Sequence, residues 1–205
     1  MKRLKTMRTS WTAMLVMSAL VTSAMAAERS FEYCTVCHGA NGNGNPAIHA
    51  PRIAGLEPWY LKNQFSAFRS AWRGEHSDDA PGQEMRPMAE ALTPAEIDQA
   101  IAYVGTFVPK PPPITVSGDI AHGKTVYAAC AACHGERGEG RPALLAPALA
   151  NRTDWYLVAQ LRNYRGGLRG ANKADANGQQ MRAIAASLTS DYAIDDVVSY
   201  INSLR

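Results

Sequence analysis

The chain has 205 residues, 21 of them basic and 18 acidic, for a formal net charge of +3 with histidine neutral. Four of the basic residues, Lys2, Arg3, Lys5 and Arg8, crowd the N-terminus, and the rest are scattered singly. That distribution excludes the dense basic tracts that follow phosphates in nucleic-acid-binding proteins.

Behind the basic cluster, Trp11 to Val21 form a short apolar run and Ala24-Met25-Ala26 is a small-x-small sequence. The pattern predicts an export signal over residues 1–26, cleaved so that the mature chain begins at Ala27. The run is short for a bilayer span, which leaves an uncleaved anchor as the alternative, and no later stretch is long or apolar enough to cross. An exported, soluble protein is expected, periplasmic in a bacterium, with seventeen basic against eighteen acidic side chains after cleavage.

A first helix runs into Cys34-Thr-Val-Cys37-His38-Gly39, with Phe31 just ahead of it. Two cysteines three apart lie on one face of a helical turn, where both thiols reach the vinyl groups of one haem, and the adjacent histidine turns its imidazole toward the iron. Zinc or redox Cys-x-x-Cys chemistry is the alternative, but neither requires the histidine. A Gly- and Asn-rich loop over residues 39–51 is expected to lack regular structure. A middle helix starts near Pro58 and ends near Gly74. A glycine-flanked polar loop then carries Met85, and Thr93-Pro94-Ala95-Glu96 is a capping box opening a last helix with the apolar stripe Ile97, Ile101, Val104 and Val108.

The same succession recurs. Cys130-Ala-Ala-Cys133-His134-Gly135 repeats the motif at an offset of 96 residues, with Tyr127 in the place of Phe31. Pro51 matches Pro147, Trp59-Tyr60-Leu61 matches Trp155-Tyr156-Leu157, Gln64 matches Gln160, and Gly82-Gln83 and Met85-Arg86 match Gly178-Gln179 and Met181-Arg182. About 27 of the 60 pairs over 34–93 and 130–189 are identical, which marks an internal duplication. After Thr189 the second copy carries one extra residue. There Thr153 is the expected N-cap of the middle helix, Gly166-Gly167 weakens its end, and Ile194, Val197, Val198 and Ile201 form the last apolar stripe.

Val108-Pro-Lys-Pro-Pro-Pro-Ile114 separates the copies, because consecutive prolines lack amide donors and favour an extended chain. The expected organisation is therefore all-α: domain 1 over 27–108, a stiff linker over 109–118 and domain 2 over 119–205. Domains of about 80 residues are small for a self-sufficient core, and a buried haem would supply the apolar centre. All four cysteines fall in the two motifs, which leaves none for a nucleophile, a disulfide or an axial ligand.

What stands opposite His38 and His134 decides whether such a haem carries electrons or does bond chemistry. Met85, Met88 and Met181 are the methionines remaining in the mature chain, and Met85 and Met181 are equivalent, whereas Ile184 matches Met88. Met85 and Met181 are the expected sixth ligands, with Met88 the fallback in copy one. His49, His76 and His122 have no histidine counterpart in the other copy and are expected to be solvated loop residues, though His76 could displace Met85. Methionine opposite histidine raises the potential over bis-histidine ligation and occupies the site where oxygen or peroxide would bind.

These tandem motifs, with Pro51-Arg-Ile-Ala-Gly55, Pro147-Ala-Leu149 and the two methionine segments, resemble dihaem cytochrome c4 of the class I cytochrome c superfamily over nearly the whole mature chain. The resemblance implies two cytochrome c folds about a pseudo-twofold axis, each with one covalently bound haem c. It implies a periplasmic carrier taking electrons from a donor such as a quinol-oxidising complex to an acceptor such as a terminal oxidase, with peripheral contact to membrane complexes. It further implies that the carbonyls of Pro51 and Pro147 accept hydrogen bonds from the ligand histidines. One departure is the little chain ahead of Cys34, so the first helix of copy one should be short. Trp59, Tyr60, Trp155 and Tyr156 read either as aromatic core or as donors to haem propionates.

The competing readings are a cytochrome subunit of a dehydrogenase, such as a flavocytochrome, and a dihaem peroxidase or thiosulfate dehydrogenase, which would need an open or unusual axial position. Residues 27–108 hold six basic against ten acidic side chains and residues 119–205 ten against eight, a polarity suited to two different docking partners. Replacing both Cys34 and Cys37 with alanine is expected to leave copy one largely unfolded, read as a loss of helical circular dichroism; native helicity in that variant would defeat the dependence on haem.

Overall fold

The computed structural model describes residues 31–205, and the expected leader over 1–26 lies outside the described residues. Among the described residues the fold is helical and has no β-strand. Copy one contains α1 (Cys34–His38), α2 (Pro58–Arg69), α3 (Ala80–Glu90) and α4 (Pro94–Gly105); copy two contains α5 (Ile120–His134), α6 (Asp154–Gly166), α7 (Ala176–Ala185) and α8 (Asp191–Ser203). No helix among them is long and apolar enough to cross a membrane.

The two cores are equivalent. Phe31, Leu61, Leu92, Ile97, Ala100, Ile101 and Val104 form one, and Tyr127, Val158, Leu188, Ile194, Val197, Val198 and Ile201 the other. The extra residue after Thr189 shifts the last helix by one position, so that Ile97, Ala100, Ile101 and Val104 correspond to Ile194, Val197, Val198 and Ile201. Val108 departs from the expected stripe: α4 ends at Gly105, and Val108 is 79% exposed at the start of the linker.

In copy two the first and last helices cross closely, because Gly123 removes the side chain at the crossing. A Cβ there would lie 2.0 Å from the carbonyl oxygen of Asp196. The tyrosine Oη of Tyr127 donates to the carbonyl of Gly135 at 2.8 Å, tying α5 to the turn that follows it. In copy one the described helix begins only at Cys34, and Phe31 reaches the same core from the turn before it.

Several helix starts have an identifiable cause. Thr93 and Glu96 make the expected reciprocal capping box of α4. Asp79 and Asp175 accept the amides of Gly82 and Gly178 and so cap α3 and α7. Consequently Met85 and Met181 lie inside helices, where glycine-flanked loops were expected. Thr153 sits at the N-cap of α6 but its hydroxyl makes no capping bond. The loop over 39–51 also holds more structure than expected, a 3-10 turn at Pro46–Ile48 closed by a bridge between Asn45 and Ala50; Pro142–Leu144 and Arg141–Ala146 repeat it.

The proline-rich linker has no regular secondary structure and is strapped to copy two. Asp154, wholly buried, accepts from the amides of Thr115, Val116 and Trp155, from the Thr115 hydroxyl and from Asn202. Arg205 reaches the carbonyl of Pro112 at 2.6 Å. Burial pushes the Asp154 carboxyl up, but its hydrogen bonds to Thr115, Val116 and Trp155 outweigh this and hold it below the usual carboxylate range. Its contribution is therefore present above the ordinary carboxyl pKa and is lost as pH falls through the depressed folded value. Thermal unfolding of the holoprotein should show Asp154→Asn less stable than wild type by about 2 kcal/mol or more at neutral pH, with the gap narrowing in acid. A gap that stays constant down to strongly acidic pH would refute this.

Candidate haem sites

Each motif histidine is fixed by a loop carbonyl thirteen residues on. His38 Nδ1 lies 2.6 Å from the oxygen of Pro51, and His134 Nδ1 lies 2.7 Å from that of Pro147. A carbonyl oxygen only accepts, so Nδ1 carries the proton in both rings and Nε2 is left with its lone pair free to bind a metal. Burial pushes both imidazoles down in pKa, against the smaller opposing effect of the proline hydrogen bond, and so favours the neutral, ligating form.

The cysteines belong to the same surface. Cys34, Cys37, His38, Met85 and Met88 all line one cavity of about 340 Å³ whose walls include Ile53, Leu61, Phe65 and Phe68. The site residues of copy one are thus brought together, and Met88, at 40% exposure, is the more exposed of its two methionines. In copy two, Cys130, Cys133 and His134 close α5, and Met181 occupies the position in α7 that Met85 occupies in α3. The four thiols are unlinked. Burial pushes the Cys34 thiol up, and that of Cys130 up to about 11, so neither resembles an activated nucleophile. Among the described residues no three His, Cys, Asp or Glu side chains gather as a metal site.

Among the described residues two buried side-chain nitrogens lack a partner in the chain, Nε1 of Trp59 and Nε of Arg73. Arg73 lines the apolar cavity that also holds the Cys-x-x-Cys-His motif, and a free donor there fits a haem, whose carboxylates are acceptors. His49, His76 and His122 are exposed, as expected, although His122 sits in α5, where its Nδ1 lies 2.7 Å from Asp196. His76 accepts the amide of Asp78, and His49 packs edge-on against Trp155 of the other copy.

The cavity wall is shared between copies, a feature the sequence alone did not reveal. Pro147, Ala148, Arg152, Trp155, Tyr156 and Gln160 contribute to it alongside copy one. Arg152 donates to the carbonyl of Gly55 at 2.7 Å and to Glu57 at 2.9 Å, and Glu57 also accepts the amide of Ala148. Arg52 reaches the carbonyl of Asn151. The only advance signal was that Glu57 and Arg152 break the repeat, being matched by Thr153 and Leu56.

A two-domain helical chain with a fixed Cys-x-x-Cys-His turn in each half defines a tandem c-type cytochrome. The family model for cytochrome c matches residues 24–107 and 120–205, and the chain belongs to that family. Within it, the crystal structure of cytochrome c4 from Pseudomonas stutzeri superposes with a TM-score of 0.66 at 26% identity, over 89% of this chain and 98% of that one. A thiosulfate dehydrogenase electron acceptor from Stutzerimonas stutzeri is 33% identical over 74% of this chain and 72% of its own length. The thiosulfate dehydrogenase TsdBA from Marichromatium purpuratum superposes with a TM-score of 0.66 at 32% identity; the match covers 82% of this chain but only 35% of that longer one. The protein is accordingly a dihaem electron carrier of the cytochrome c4 type with two covalent haem c groups.

Arg152→Ala should remove the bonds to Gly55 and Glu57 and leave Glu57 unpaired, weakening domain docking by about 2 kcal/mol. Calorimetry would show this as a broadened or split unfolding transition. A single transition with unchanged midpoint would mean that docking does not depend on this pair.

Proposed function

We propose that Cys34 and Cys37 anchor one haem and Cys130 and Cys133 the other, with His38 and Met85 as axial ligands in copy one and His134 and Met181 in copy two. The observation that carries the reading is the pair of Nδ1 bonds to Pro51 and Pro147, which leaves each Nε2 free to ligate and fixes the ring. Met85 and Met88 both line the cavity that His38 lines, and Met85 is the less exposed and the one repeated, as Met181, which supports it as the partner ligand. When bound, each haem supplies a one-electron ferric/ferrous couple. The protein's part would be to offer a histidine and a methionine to each iron, exclude water with the apolar walls, and keep the couple at a high potential through thioether ligation. A filled sixth position favours a carrier over an enzyme.

On this reading the protein works in the periplasm, between a donor such as a quinol-oxidising complex and an acceptor such as a terminal oxidase. The similarity to a thiosulfate dehydrogenase electron acceptor supports a second donor, a sulfur-compound dehydrogenase, and the excess of acid in copy one over copy two suits two distinct docking ends. Rapid-mixing reduction by each purified donor separates these two.

The ligand assignment is tested by the far-red charge-transfer band of ferric haem bonded to methionine sulfur. Wild type should show full intensity for two haems, and Met85→Ala and Met181→Ala should each lose about half of it. Loss on Met88→Ala but not on Met85→Ala would transfer the role to Met88. High-spin features in the wild type would overturn the carrier reading in favour of an enzyme.

A further inference from the structure

A second cavity, of about 330 Å³, opens where the linker crosses the boundary between the copies. Arg52 and Gly55 of copy one, Asn151 and Arg152 of copy two, and Pro109 and Lys110 of the linker line it. Gly55, Pro109, Lys110 and Asn151 are not part of the wall around His38 and Met85, so this space is separate from that one, although Arg52 and Arg152 stand between the two. Gly55 and Asn151 are equivalent under the repeat, and both are left-handed, with φ of 72° and 59°. The arginines are not equivalent: the repeat matches Arg52 with Ala148 and Arg152 with Leu56. Each copy has thus placed a cation in one pocket from a different position in its sequence.

Arg52 is the centre of the pocket. It is 8% exposed, its Nε donates to the carbonyl of Ala54 at 3.0 Å, and its Nη1 donates to that of Asn151 at 3.1 Å. Its Nη2 has no partner among the described residues and lies beside Gly55, where a Cβ would sit 3.7 Å from it and 3.0 Å from Pro109. Glycine at that turn leaves the approach to the free nitrogen open. The other buried arginines of the boundary, Arg73 and Arg169, lie outside this pocket and both donate to Gln64 and Gln160. Among the described residues no acidic side chain lines the pocket, Glu57 is already paired with Arg152, and Lys110 forms no ion pair. Burial pushes the Arg52 guanidinium down in pKa, and the like charges of Arg152 and Arg205 push it the same way. An anion among them would relieve that repulsion.

We propose that this pocket binds a small tetrahedral oxyanion of the sulfate or phosphate class, held by Arg52 Nη2 and Lys110. A guanidinium edge and an ammonium suit such an ion, whose oxygens accept from both. The depth of Arg52 selects an ion that enters whole over an acidic group carried on a larger molecule. Once bound, the ion joins copy one, copy two and the linker at a single point, so its binding energy adds to the docking of the domains.

The test is calorimetric titration of the full-length holoprotein with sodium sulfate and, separately, sodium phosphate, with chloride holding the ionic strength constant. One ion should bind per chain, and thermal unfolding should move upward and saturate with concentration. A general salting effect rises without saturating. Arg52→Gln removes the free donor and should weaken binding by about tenfold or more. Lys110→Glu alters only an exposed linker side chain, so it should fold as wild type does in chloride, yet bind the ions several-fold more weakly. Absence of saturable binding overturns the proposal, and so does an affinity unchanged in Lys110→Glu, whether or not Arg52→Gln folds. Binding to phosphatidylglycerol vesicles with none to the free ions overturns it in favour of a headgroup site.

Discussion

The bond from each histidine Nδ1 to a proline carbonyl is the constraint on which the rest of each domain depends. It spans thirteen residues and joins the end of the Cys-x-x-Cys helix to the far side of the glycine-rich loop, so the loop cannot move without turning the imidazole. The 3-10 turn and the Asn45–Ala50 bridge fold the intervening chain back on itself, and the amides of Ile53 and Ala54 close on the carbonyl of Gly42. The result is a rigid wall carrying the histidine. The proton sits on Nδ1 because the only available partner there is an acceptor, and a metal-binding lone pair at Nε2 follows from that.

Duplication explains most of the chain, and the departures from it mark where the copies had to become different. The short α1 and the fifteen-residue α5 are the largest. In copy two the long first helix packs on α8 through Gly123, while in copy one the described chain reaches the core through Phe31. Asp154 replaces the repeat's Pro58 and becomes the anchor of the linker. Glu57 and Arg152, matched by Thr153 and Leu56, form an ion pair between the copies. A surface that meets its own repeat needs only self-complementary residues, which Arg73 with Gln160 and Arg169 with Gln64 supply; an off-axis contact needs two different partners, and these four positions have diverged accordingly.

The motifs, the repeat, the helical class and both core stripes were legible in the sequence because each rests on spacing within one copy. The methionine segments were misread for a physical reason. Gly82 and Gly178 look like loop residues, yet each sits in the first turn of a helix, under the carboxylate of the aspartate that caps it; a Cβ at Gly82 would come within 2.1 Å of Asp79 Oδ2. Glycine there makes room for a cap and does not break a helix. Val108 continued the apolar spacing of α4, but the helix stops at Gly105, and periodicity does not report where hydrogen bonding ends. Arg73 and Arg169 drew no notice, because a lone arginine in a helical protein is ordinarily solvated and only the docked arrangement buries it.

Burying two like charges at one boundary costs several kcal/mol unless something offsets them, and glutamine and tyrosine oxygens do so only in part. Inter-domain contacts of this polar kind would by themselves permit the domains to rock. Here the strapped linker, the Glu57–Arg152 pair and the shared glutamines bridge the boundary, so both guanidiniums stay out of water, Arg73 at the wall of the copy-one cavity. Two domains on a tether would need only the linker, whereas these reciprocal bonds hold the two copies in one arrangement.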